Sequence, residues 1–150
     1  MPNRASFAPE YGSFVRKRSG IVLVVDDYDD ARATMSELLE ANGYTVLEAS
    51  NGQEALNVLV SARGPQVGMV VLDLQMPVMD GFQFLKLLGN YVGLANIPVA
   101  IVSAHHPKLD EVDDVASARV VGRLQAPYAS DELLAMVKAC TVPSVPPPSA

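Results

Sequence analysis

Short apolar runs alternate with segments of helical period along the middle of the chain. Ile21-Val22-Leu23-Val24-Val25 is a continuous apolar run of strand length that stops at Asp26-Asp27. After it, Ala31, Met35, Leu38 and Leu39 fall on one face of a helix that the Asn42-Gly43 breaker should end. Tyr44 to Ala49 reads as a second strand, and Asn51 with Glu54 three residues on has the spacing of a helix N-cap, with Ala55, Leu56, Leu59 and Val60 inward and Gly64-Pro65 as the stop. A third strand over 68–72 runs into Asp73, and the helix beyond it presents Phe84, Leu85, Leu88 and Val92 on one side. The fourth strand is 98–102. A weaker helix carries Leu109, Val112 and Ala116 among four acids, a poorer strand covers 120–124, and a last helix from about Ser130 to Cys140 turns Leu133, Leu134 and Val137 inward.

Five strand-helix units in strict alternation predict an α/β domain, a parallel five-stranded sheet with helices on both faces, because parallel neighbours need crossover connections. The unbroken apolar character of strands one, three and four suits central positions buried on both sides. The folded unit is expected over residues 21–140. Residues 1–20 mix Pro, Ser, Gly and Arg without period and read as a flexible arm; 141–150, with Pro143 and Pro146-Pro147-Pro148, read as a flexible Pro-rich tail.

Length and an apolar content of 49% fit one domain with a full core. Charge narrows the function. The formal net charge is -6; the first 20 residues carry +3, which leaves -9 on the body. An acidic body argues against nucleic acid as a partner, since phosphate contacts need clustered Lys and Arg. No run approaches a membrane span, and the first apolar run is cut after Val25 by two acids, which excludes a signal-peptide core. The single cysteine, Cys140, permits no internal disulfide. A cytoplasmic protein is expected.

Candidate chemistry lies at the strand ends. Asp26 and Asp27 follow strand one, Asp73 strand three and Ser103 strand four, and a Pro-Gly-containing loop, Gln75 to Gly81, follows Asp73. In open parallel sheets the site lies beyond the C-terminal strand ends where the strand order reverses. If the order is 2-1-3-4-5, Asp26, Asp27 and Asp73 converge there. Three carboxylates so close raise one another's pKa unless a cation joins them. Mg²⁺, with carboxylates, a carbonyl oxygen and retained waters, is the natural occupant, and Mn²⁺ is a second choice.

The set Val24-Val25-Asp26-Asp27, Leu72 through Gly81 and Val102-Ser103-Ala104 resembles the receiver domain of two-component response regulators over roughly residues 21–140. The resemblance implies a flavodoxin-like (βα)5 three-layer sandwich of strand order 2-1-3-4-5. It implies that Asp73 accepts a phosphoryl group from a sensor histidine kinase or phosphotransfer protein, and that Asp26, Asp27, Asp73 and the backbone carbonyl of Gln75 hold Mg²⁺. It further implies that Ser103 bonds a phosphoryl oxygen. Such a chain would act as a stand-alone receiver, contacting a downstream protein through the face made by the 109–116 helix, the fifth strand and the last helix; it would assist its own phosphorylation without being an enzyme in the ordinary sense.

Two positions depart from the family pattern. The fifth strand of receivers ends in Lys-Pro, whereas this chain has Ala126-Pro127; the switch aromatic three positions before that lysine is replaced by Arg123. Strand alternation puts Arg123 on the opposite side from Ala126. Lys108, His105 and His106 are the alternative cations. The rival function is a degenerate receiver that binds a protein partner without phosphorylation. A flavin or nucleotide module is set aside because Asp26-Asp27 would repel a phosphate, and an aspartyl phosphohydrolase because Asp73 lacks a second acid two residues on.

Overall fold

The computed structural model describes residues 17–61, 66–74, 79–103 and 118–145. Gly64-Pro65, Gln75, His105, His106, Lys108 and the predicted 109–116 helix lie outside the described residues. Five strands, β1 (Ile21–Val25), β2 (Thr45–Ala49), β3 (Met69–Asp73), β4 (Pro98–Ser103) and β5 (Arg119–Gln125), form one sheet in the order β2-β1-β3-β4-β5. Every pairing is parallel. The described helices are α1 (Asp29–Ala41), α2 (Gly52–Val60), α3 (Gly81–Leu88) and α4 (Ser130–Cys140).

Strand burial follows the sequence pattern. β4 is buried throughout, β1 and β3 in all but one residue each, while β2 and β5 at the edges are mostly part-buried or exposed, with one buried residue each, Ala49 and Val121. The period of two divides the sheet into two cores. Leu23, Val25, Val70, Leu72, Val99 and Ile101 face α2 and α3; Val22, Val24, Met69, Val71, Ala100 and Val102 face α1 and α4. Each fully buried Leu, Ile, Val or Phe contributes about 1.5–3 kcal/mol relative to exposure, so helices of three turns or fewer are held by packing more than by propensity.

Local signals place most helix starts. Asn51 Oδ1 accepts the Glu54 N–H at 2.9 Å and opens α2, while the Glu54 carboxylate accepts from Ser50 N–H and Oγ–H, both at 2.8 Å. Asp80 and Gln83 form a reciprocal capping box at the start of α3. Gly43, at φ 91°, follows the α1 C-cap as the breaker predicts.

Two expected core positions are on the surface. Val60 is 55% exposed: at about 100° per residue it sits about 140° round α2 from Ala55, past the edge of the stripe set by Leu56. Val92 is fully exposed because α3 ends at Leu88 and the chain turns through Gly89 to Gly93; Leu94 and Ile97 fill the core instead.

The packing also reaches past 21–140. Residues 17–20 and 141–145, assigned from sequence to the two terminal segments, pair with each other. Arg18 bridges Thr141 in parallel, Val142 N–H donates to Arg18 O at 2.9 Å, and Val145 N–H donates to Gly43 O at 2.9 Å. Pro143 lacks a donor, but the residues around it keep theirs, and a side chain at Gly20 would strike Val142 O and Ser144 N. Among the described residues no helix is long and apolar enough to cross a membrane.

Candidate functional site

Parallel register brings the strand-end acids together. Val25 lies opposite Leu72 and Asp73 opposite Val102, so Asp26 and Asp73 follow one another across β1 and β3, with Ser103 next on β4. One carboxylate oxygen from each of Asp26, Asp27 and Asp73 can be chosen so that all three lie within 4.8 Å of one another. They line a cavity of about 240 Å³ with Ser103, Ala126 and Tyr128 on its far wall.

The acid loop is braced from behind. Asp26 is buried, and its Oδ1 accepts the Tyr28 N–H at 2.9 Å. Arg32, one turn into α1, donates from Nη1 to Asp26 O at 2.7 Å, from Nε to Glu48 at 3.0 Å and from Nη2 to Asp29 at 2.6 Å. One guanidinium thereby ties β1, β2 and the first turn of α1. Burial pushes the Asp26 carboxyl above the usual carboxylate range; the Tyr28 N–H opposes this, the Asp27 charge adds to it and Arg32 draws it back.

Asp73 closes β3, and two close backbone approaches fix the chain beyond it. Gly81 N–H donates to Leu74 O at 2.8 Å, and a Cβ on Gly81 would sit 2.6 Å from Leu74 Cα. Gly52 N–H donates to Met79 O at 3.1 Å, in a space that a side chain would also fill. The starts of α2 and α3 therefore meet beside the end of β3 because both begin with glycine.

β5 supplies the remaining wall. Ala126 N–H donates to Ser103 O at 2.9 Å, which carries the β4–β5 pairing one step beyond Ser103 and Gln125. The Ala126-Pro127 peptide is cis. Val121 is the extra residue of a bulge, since Val99 pairs Val120 and Ala100 pairs Gly122. The bulge precedes Arg123, so alternation from there to Ala126 is intact: Arg123 is exposed and outside the acid cavity, and Ala126 lines it. Among the described residues lining the cavity there is no Lys or Arg.

The sequence reading missed Arg32 and Tyr128. Arg32 had a faint signal, an arginine three residues after Asp29 in an acidic first turn. Tyr128 is half-buried, and its ring packs on the α1/α4 core. Burial, and next the charge of Asp26, push its phenol pKa upward. Its signal was position, since it is the second residue past Ala126 on a segment leaving the site.

An all-oxygen cluster of three carboxylates around a partly enclosed space suits a hard divalent cation, and the hydroxyls opposite suit the oxygens of an anion held by that cation. The chain is similar to known proteins of one family. The response regulator receiver domain profile matches residues 22–138. The chain is 33% identical over 129 residues to Protein PilG of Pseudomonas aeruginosa, covering 84% of this chain and 90% of that one. It is also 33% identical over 119 residues to the Sensor histidine kinase CheAY of Helicobacter pylori, matching 79% of this chain but only 14% of the kinase. The structure of chemotaxis protein CheY4 of Vibrio cholerae superposes with a TM-score of 0.71 at 28% identity, covering 82% of this chain and 98% of that one.

Proposed function

Since the chain belongs to the response regulator receiver domain family of two-component signalling, we propose that Asp73 is its phosphoacceptor. In the reaction an Asp73 carboxylate oxygen forms a bond to phosphorus as the bond to the donor's leaving group breaks. Little covalent help is needed; positioning and charge neutralisation dominate phosphoryl transfer. Asp26, Asp27 and Asp73, with the carbonyl of Gln75, are the residues that would hold Mg²⁺ or Mn²⁺. The cation's contribution is to neutralise charge on the phosphoryl oxygens. Asp26 stays fixed by the Tyr28 N–H and Arg32, and Ser103 donates to a phosphoryl oxygen.

The observation that supports this reading best is the meeting of three carboxylates from two strands at one cavity. The phosphodonor is read as a sensor histidine kinase or phosphotransfer protein, in keeping with the CheAY relative, and the output as contact with a downstream protein through β5, α4 and the segment between β4 and β5. Nucleic acid and membrane are not among the proposed partners, and the proposed location is the cytoplasm. The rival reading, binding without phosphorylation, rests on Ala126 and Arg123 alone.

The test is labelling by acetyl phosphate. Incorporation that needs Mg²⁺ and disappears in Asp73→Asn is the expected outcome. Label persisting in Asp73→Asn would move the acceptor to another acid, and no incorporation by the folded wild type would favour the rival reading.

A further inference from the structure

The β5 wall of the acid cavity carries a methyl group, Ala126, where the family pattern has an ammonium. Of the described residues lining that cavity, only Tyr28, Ser103 and Tyr128 bring a side-chain hydroxyl. Tyr28 is 64% exposed and belongs to the β1 side. Ser103 is the donor from β4. Tyr128 remains, and it comes from the same wall as Ala126.

Three features prepare Tyr128 as a donor. Its ring is packed against the α1/α4 core, so little rotamer freedom is left to lose on binding. Its backbone is two residues from Ala126, whose N–H is bonded to Ser103 O, so the segment is tied to the end of β4. Tyr128 is itself part of the lining of the cavity, together with Asp73, Ser103 and Ala126. A phenol is protonated at neutral pH, and burial together with the neighbouring Asp26 charge holds that proton more firmly.

We propose that the Tyr128 hydroxyl donates a hydrogen bond to an oxygen of the phosphoryl group on Asp73, supplying from β5 the contact that Ala126 cannot make. This rests on Asp73 being the phosphoacceptor. A neutral donor to an anionic oxygen forms a charge-assisted bond, worth about tenfold in affinity, without the fixed positive charge of a lysine. Because the bond exists only with the phosphoryl group in place, its loss weakens phosphoryl mimics and leaves cation binding alone.

The experiment titrates fluoroberyllate into the full chain with saturating Mg²⁺, followed by fluorine NMR, for wild type, Tyr128→Phe and Asp73→Asn. Tyr128→Phe keeps the ring and its packing. The expected result is about tenfold weaker fluoroberyllate binding with the Mg²⁺-induced rise in melting midpoint unchanged. Adding Ala126→Lys to Tyr128→Phe is expected to restore the affinity, which repair of a packing defect would not do. Tyr128→Phe within twofold of wild type overturns the proposal, as does a loss of Mg²⁺ and fluoroberyllate affinity in equal measure. Wild type that binds fluoroberyllate no better than Asp73→Asn overturns the phosphoacceptor reading itself.

Discussion

Asp26 and Arg32 decide how the unliganded acid cluster is tolerated. Asp26 is the buried member, and burial raises its pKa. A carboxyl whose folded pKa lies above its unfolded one lends stability that is fully present below the unfolded value and lost as pH rises through the folded value. In chelator, the urea midpoint should therefore fall as pH climbs from the ordinary carboxylate range, and Asp26→Asn should flatten that slope and be more stable than wild type at pH 7. In Mg²⁺ the order should reverse, because only wild type gains from binding; a slope unaltered by Asp26→Asn would show the cost to lie elsewhere. Arg32 acts from behind. Its partners Asp29 and Glu48 are exposed and contribute little, so Arg32→Ala should cost about 1–2 kcal/mol, mostly through the lost bond to the Asp26 carbonyl. Arg32→Lys should recover little, since an ammonium has no fork to span three acceptors. Urea denaturation measures both; full recovery by Lys would mean that charge alone matters. The three aspartates were legible in sequence because they stand where apolar runs end, whereas Arg32, on α1, was not, because its Glu48 partner lies 16 residues away on β2.

At the scale of elements, periodicity identified every described strand and helix, and it failed where a helix stops. Phe84, Leu85 and Leu88 are buried as their spacing predicts, yet Val92 continues the same spacing past the end of α3 into solvent. The Asp80–Gln83 capping box was readable in hindsight; the close approach of α3 to β3 was not, since a lone glycine after an aspartate looks like any turn. That approach has a testable cost. Gly81→Ala puts a Cβ 2.6 Å from Leu74 Cα and 2.8 Å from Asp73 O, both backbone atoms that cannot rotate aside. Forcing α3 off β3 should cost about 1–3 kcal/mol, the usual range for overpacking, and displace Asp73 from its two neighbours. Thermal unfolding should show the loss, and Mg²⁺ should stabilise the variant less than wild type. If Gly81→Ala lowers the midpoint but keeps the whole Mg²⁺ increment, α3 does not position the acid cluster.

The two ends of the strands hold different things, an acid cluster at one and the paired terminal segments at the other. Continuous apolar strands one, three and four foretold the centre of the sheet, and with it the meeting of Asp26 and Asp73 at the C-terminal edge. The opposite edge was misread, because counting the donors that proline removes overlooks the donors its neighbours keep. There, residues 141–145 run against Arg18, Gly20 and Gly43: Thr141 is 1% exposed, Val142 N–H meets Arg18 O, and Val145 N–H meets Gly43 O. A chain stopped at Cys140 loses those two bonds, the burial of Thr141 and the Thr141 bonds to Val137 O that close α4. At about 0.5–1.5 kcal/mol for each net hydrogen bond, it should be less stable than a chain stopped at Val145 by about 2–4 kcal/mol. Gly43→Ala should produce part of the same loss without truncation, since its Cβ would overlap Val145 O and its backbone sits at φ +91°. The acid cluster stands at the other end of strands five residues long, about 17 Å away at 3.3 Å per residue. Mg²⁺ affinity, extrapolated to the folded state, should therefore match between the two chains, and so should the initial rate of Asp73 labelling below the unfolding transition. Equal stability would mean that the 141–145 pairing is not held in solution, and a changed Mg²⁺ affinity would mean that the two sheet edges are coupled through the strands.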